Sequence, residues 1–244
     1  MKKLTRTSLI INGTAVLVKI YDEPRQNARA SMTKNGAILR LPKGLKAERR
    51  KELLQWFEDW LAEQLSDEKR KQILVGKTYQ NGEILKIYNR TYQINIEFQN
   101  RKSHTGNLKE HTIHLKLSEQ DSEAHRQKAI RQLISRTVGQ DCMAEFEKRV
   151  DYWNDKYFQE MINVIRFKNN QSNWGSCSSK KNLNFSTRLL FANMDAIDYV
   201  IVHELAHLKE LNHSHKFWKI VADVMPNYKD QEEWLKENGH LCQF

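Results

Sequence analysis

Hydrophobic positions change period several times along the chain, and each change marks a predicted element. From Ser8 to Tyr21 apolar and polar residues alternate around Asn12-Gly13, which predicts a β-hairpin with a two-residue turn (strands Ser8–Ile11 and Ala15–Tyr21). Alternation resumes over Ala28–Met32 and Ala37–Leu41, with Asn35-Gly36 as the turn between them. Pro42-Lys43-Gly44 ends this β region. From Ala47 to about Gln72, residues Leu53, Leu54, Trp56, Phe57, Trp60, Leu61 and Leu65 recur at helical spacing and predict one amphipathic helix. A turn at Asn81-Gly82 opens a second β region: Ile84–Tyr88, Tyr92–Phe98 and Thr112–Leu117, separated by Asn89 and by the polar stretch Asn100–Lys109. Ser122 to about Asn154 reads as one long helix, or two broken near Gly139. Val164–Phe167 and Leu183–Phe185 read as strands flanking a loop, Asn169–Asn182, and from Asp195 onward the pattern is helical.

These periods predict an α+β chain: a β-rich N-terminal region with helices over residues 1–120, then a mainly helical region with a small sheet over 121–244. With no repeats, no low-complexity segment and only three prolines, no linker is evident and one continuous compact unit is expected. The 244 residues suffice for a sizeable core, and 39% apolar with 29% charged residues is the balance of a globular protein rather than a disordered one. The first residues are basic and then apolar, but Asn12 and Lys19 interrupt the apolar stretch and no small-residue cleavage site follows. No run approaches the roughly eighteen apolar residues of a membrane span. A cytoplasmic protein with no membrane partner is therefore expected. The net charge of +10 permits an anionic partner, yet the basic residues are dispersed and no nucleic-acid-binding motif is visible. Three cysteines (Cys142, Cys177 and Cys242) form no CxxC pair, so any metal must rely on histidine and carboxylate.

The candidate chemistry lies in HELAHLKELNHSHKFW. His203 and His207, four apart, fall about 40° apart around a helix and one turn along it, so both rings reach one metal. Glu204, beside the first, is placed to take a proton from a metal-activated water. This is the H-E-x-x-H arrangement of zinc hydrolases. Asp195 is a candidate N-cap and Asp198 adds charge to the first turn. A third ligand is needed. His213 would lie about 240° round from His207 in a continuous helix, so the helix must stop first. Asn212 suits a left-handed helix end and Ser214 a following N-cap, which would let His213 fold back. His213 is favoured over His215, Glu210, Glu232 and Glu233. Water would take the fourth position.

Trp174-Gly175-Ser176-Cys177, then HELAHL over His203–Leu208, then Asn212, His213, Ser214, Phe217 and Trp218 resemble, in order, the YgjP-like branch of the SprT-related metallopeptidases. The resemblance implies a zincin-like catalytic core, one zinc ion per chain held by His203, His207 and His213, and Glu204 as catalytic base. Where that family commonly has Phe-Asn, this chain has Phe185-Ser186, so no role of the asparagine carries over. The Trp174–Cys177 loop is expected to wall the active site, with Gly175 allowing close backbone approach. Ligation by Cys177 is the lesser reading.

The expected activity is zinc-dependent peptide hydrolysis through a metal-activated water with Glu204 as general base. His215, Tyr228 and His240 are candidate oxyanion donors, and Leu183–Phe185 a candidate strand for pairing with an extended peptide. Two alternatives share the site: a metal hydrolase of a non-peptide anion such as a nucleoside triphosphate, and a nucleic-acid-associated protease acting on DNA-bound proteins.

Overall fold

In the computed structural model, residues 3–33 and 36–244 are described, so Asn35 of the expected Asn35-Gly36 turn lies outside the described residues. The first strands form as the alternation predicts. β1 (Lys3–Ile11) and β2 (Thr14–Glu23) pair antiparallel around Asn12 (φ 49°) and Gly13 (φ 76°), the two successive positive angles that a tight hairpin turn demands. β3 (Arg29–Thr33) and β4 (Gly36–Pro42) complete a sheet in the order β1-β2-β4-β3, in which β2 and β4 run parallel. The long helix expected after it is two: α1 (Ala47–Ser66) and α2 (Glu68–Val75). The break falls at Asp67, whose extended backbone and side-chain acceptor for the Arg70 amide (2.9 Å) start a new helix. A local cap outweighs the continuing apolar stripe there. Phe57 and Leu61 of α1 pack with Val16, Val18, Leu39 and Leu41 of the sheet in a fully buried core.

A second sheet orders its strands β5-β6-β8-β7, with β5 (Ile84–Ile87), β6 (Arg90–Gln99), β7 (Thr105–Lys109) and β8 (Thr112–Ser118). β7 lies inside the stretch read as polar loop. Its sequence, TGNLK, has one large apolar side chain, so alternation carried no signal. α3 (Glu123–Trp153) is a single helix that passes straight through Gly139. A Cβ at Gly139 would stand 3.0 Å from the Thr187 methyl, so this glycine marks a close approach rather than a break.

The chain divides into two units. One comprises Met1–Asn81, Ile96–Thr105 and Lys116–Arg131; the other comprises Gly82–Asn95, Gly106–Leu115 and Gln132–Phe244. The second contains a three-stranded sheet ordered β10-β11-β9, built from β9 (Val164–Lys168), β10 (Gly175–Cys177) and β11 (Asn182–Ser186). β11 is parallel to β9 and antiparallel to β10. Both edges of β11 are thus occupied, which corrects the expectation that Leu183–Phe185 pairs with a peptide. Phe146 of α3 packs on Phe167 and Phe185, with ring centroids 4.6 and 4.9 Å away.

α4 (Met194–Ala206), α5 (His215–Val224) and α6 (Tyr228–Asn238) complete the second unit. α4 buries Ala196, Ile197, Val200, Ile201, Val202 and Leu205, which is why its sequence is apolar nearly all round. Its N-cap is Asn193, accepting from the Ala196 amide at 2.7 Å, and the expected cap Asp195 lies in the first turn. Asp198 is buried because the Arg149 guanidinium of α3 binds both its oxygens, Nη2 to Oδ2 at 2.7 Å. The fold is α+β. Among the described residues no helix is long and apolar enough to cross a membrane.

Candidate metal centre

α4 ends earlier than the sequence suggests. It stops at Ala206 with His207 as C-cap, and Asn212 has no positive φ. The chain instead leaves through a tightened turn, Leu208 bonding Leu205 and Lys209 bonding Ala206. His207 keeps helical angles, one turn above His203, with its amide bonded to the His203 carbonyl at 3.3 Å. The following residues run back to Ser214, which caps α5 as expected by accepting from the Phe217 amide at 3.4 Å. His213, just before that cap, is returned to the end of α4.

The three rings converge through their Nε2 atoms. His213 lies 3.0 Å from His203 and 3.2 Å from His207. Two nitrogens bound to one tetrahedral zinc at its usual bond length stand about 3.3 Å apart. Each ring nitrogen offers either one proton or one lone pair in its plane, so His213 Nε2 cannot serve two partners fully. A cation among three lone pairs satisfies all of them. The orientation of the His207 ring agrees: a carbonyl only accepts, so His207 Nδ1 donates to the Glu210 carbonyl (3.1 Å) and its Nε2 is left as the lone-pair end. Burial, then the neighbouring imidazoles, push His203 down to about 3, and burial likewise lowers His207. Both therefore stand in the neutral form that ligates. Among the described residues this is the one cluster of three or more possible ligands within reach of a single ion. The donor set fits a borderline-soft divalent metal such as zinc.

The rival ligands are elsewhere. His215 is exposed on α5, the Glu210 carboxylate pairs with Lys216 at 3.5 Å, and Glu232 pairs with Lys236 at 3.7 Å. Glu233 is exposed and Cys177 is absent from the cluster. Burial and the Glu204 carboxylate push the Cys177 thiol up to about 11, which keeps it protonated.

Glu204 is 4% exposed, and among the described residues its Oε2 has no hydrogen-bond partner. Burial pushes it up to about 8, a cost that a nearby dication would relieve by favouring the carboxylate. What faces it is Gly175. A Cβ on Gly175 would fall 2.5 Å from Glu204 Oε1. A cavity of about 450 Å³ opens between β10 and α4, lined by Trp174, Cys177, Tyr199, Leu211 and Leu235 as well as by His203, Glu204, His207 and His213. Of the candidate oxyanion donors, His215 and His240 are exposed and none of the three lines this cavity; Tyr228 stacks on Tyr199 (6.3 Å) and Trp218 (5.4 Å) instead.

Two supporting residues had no role assigned from the sequence, although Phe217 belongs to the motif that carries the resemblance. Phe217, fully buried, touches all three imidazoles, with centroids at 4.9, 4.5 and 4.7 Å from His203, His207 and His213. Arg188 is buried beneath Trp174, 4.6 Å from the ring centre, and donates to the carbonyls of Cys242, Gln171 and Gly239 at 2.7, 3.0 and 2.7 Å. It ties the C-terminal segment to the loop that carries Gly175. Arg188→Met leaves three carbonyls short of a donor. It should lower unfolding free energy by about 2–4 kcal/mol, read by denaturant titration. An unchanged midpoint would show that the three bonds contribute nothing.

No curated protein matches the chain. Among solved structures, the metallopeptidase zymogen abylysin of Pyrococcus abyssi is 22% identical, with 38% of this chain and 93% of that chain covered at a TM-score of 0.35. The zymogen jannalysin of Methanocaldococcus jannaschii is 22% identical over 38% and 94%, at 0.34. The model of the family described as YgjP-like, metallopeptidase domain, matches residues 26–238, a span that includes β10, α4 and all three clustered histidines. The chain belongs to the YgjP-like metallopeptidase family and is a metal-dependent hydrolase.

Proposed function

We propose that this chain is a zinc-dependent peptidase of zincin-like design, with His203, His207 and His213 as ligands, Glu204 as general base and an extended peptide as substrate. The observation that carries this reading is the convergence of three Nε2 atoms beside a buried, unpartnered carboxylate under an edge strand. Held by His203, His207 and His213, a zinc ion would supply Lewis acidity to an attacking water and to the substrate carbonyl. Glu204 takes the proton and returns it to the departing amine, a task suited to a carboxylate held in a dry site. Phe217 and the Glu210 carbonyl fix the ring planes.

Substrate placement follows from β10. The Trp174 carbonyl accepts from the Ser186 amide of β11 at 2.7 Å, so strand alternation turns the backbone groups of Gly175 and Cys177 to the outer edge. A peptide added along that edge would run past Glu204 and the histidines. Trp174, Tyr199, Leu211 and Leu235 supply apolar walls for its side chains.

Among the described residues no lysine or arginine lines the cavity, whereas a triphosphate needs cationic partners. The nucleotide and nucleic-acid readings therefore find no support at the site. Purified protein should carry about one zinc per chain, as a three-histidine site implies. Incubated side by side with an unfolded protein and with ATP, it should release peptides and no phosphate, and chelation should stop the release. Phosphate release with the protein substrate left intact would overturn the reading.

A further inference from the structure

Away from the metal centre, the first unit holds a cavity of about 360 Å³ lined by Leu17 of β2, Leu74 and Val75 of α2, Tyr79, and Gln127 and Arg131 of α3. Arg131 is the unusual member. It is 4% exposed and its Nη1 donates to the Lys77 carbonyl at 2.8 Å, while among the described residues its buried Nε has no acceptor and it makes no ion pair. Burial pushes the group below the ordinary guanidinium range. Two other polar side chains there are engaged. Gln127 is braced against the backbone of Tyr79, donating to its carbonyl at 2.9 Å and accepting from its amide at 2.8 Å. Glu123, which also lines the cavity, is held by Arg126 at 3.0 Å and by Gln127 at 2.9 Å.

A buried guanidinium satisfied by one carbonyl is costly, and an anion removes the cost. Its planar fork matches a carboxylate, while the walls beside it are hydrocarbon. We propose that this cavity binds a small aliphatic carboxylate, with the charged end on Arg131 and the hydrocarbon body against Leu17, Leu74 and Val75. Two sources carry that chemistry: a medium-chain fatty acid, and the C-terminal carboxylate of a peptide ending in an aliphatic residue.

Isothermal titration of the zinc-loaded protein with octanoate and with N-acetyl-leucine distinguishes the sources, and 1-octanol and N-acetyl-leucinamide supply the same bodies without charge. At least one acid should bind saturably. Its uncharged partner and the Arg131→Met protein should each show binding weaker by about 10-fold or more, the loss of a charge-assisted contact. Ala15→Phe, from β2 on the cavity wall, keeps the guanidinium and fills the space, so it should abolish binding and keeps the test decisive if Arg131→Met does not fold. Binding that survives in Ala15→Phe, equal binding of acid and uncharged partner, or no saturable binding of either acid would overturn the proposal.

Discussion

Glu204→Gln should bind zinc as the native chain does and lose about 10²–10⁴-fold in kcat/KM, the range carried by a single general acid–base group. The substitution is nearly isosteric, so the packing against Gly175 survives it. The amide cannot accept the proton that the carboxylate takes. The proposed ligands are untouched, since all three are imidazoles and Glu204 stands outside their cluster. Metal content therefore separates this variant from His203→Ala, which removes one of the three proposed ligands and should lose metal and activity together. Zinc analysis beside a peptide-release assay distinguishes the two. A Glu204→Gln protein with native turnover would remove Glu204 from the chemistry and leave the reading of the histidines standing.

The histidine site was readable because its parts are local. Helical spacing joins His203 to His207, and a cap at Ser214 announces the turn that returns His213. The sequence misplaced the end of α4, expecting Asn212 to close it, because asparagine and glycine are the recognised left-handed terminators. The chain terminates α4 by tightening its last bonds instead, and the Glu210 carbonyl released by that turn orients His207. The start of α4 erred by two residues for a similar reason. Asn193 and Asp195 both suit a cap, and nothing local ranks them.

What could not be read is non-local. β10 has three residues, two of them small and polar or glycine, so it offers no hydrophobic alternation and looks like loop. Its identity as a strand comes from β11, itself central only because β9 takes its far edge. Arg188 follows a strand in a segment with no motif. Its partners lie 17 to 54 residues away, and all are backbone carbonyls, which carry no side-chain signature. The Trp174–Cys177 segment was expected to wall the active site, and it lines the cavity. The contact that makes it consequential, between one glycine and one carboxylate, needed coordinates.

That contact gives the sharpest single-atom perturbation available. Gly175→Ala adds a methyl whose carbon would lie 2.5, 2.6 and 2.8 Å from Glu204 Oε1, Cγ and Cδ, distances that no pair of non-bonded atoms tolerates. The backbone of β10 is held by its register with β11, and α4 is buried on nearly every side, so the carboxylate itself must move. A displacement of about 1 Å in a reacting group costs on the order of 10²-fold in rate. Gly175→Ala should therefore keep its zinc and unfold near the native temperature while kcat/KM falls by about 10²-fold. Cys177→Ala, two residues along the same strand and outside the ligand cluster, should stay near native and controls for damage to β10. A double-mutant cycle identifies the cause. If the alanine acts only by moving Glu204, then Gly175→Ala should cost almost nothing further once Glu204 is already glutamine, because the group it displaces no longer carries the reaction. Additive losses would mean that the methyl obstructs the substrate's path along the β10 edge instead, and would leave Glu204 where it was.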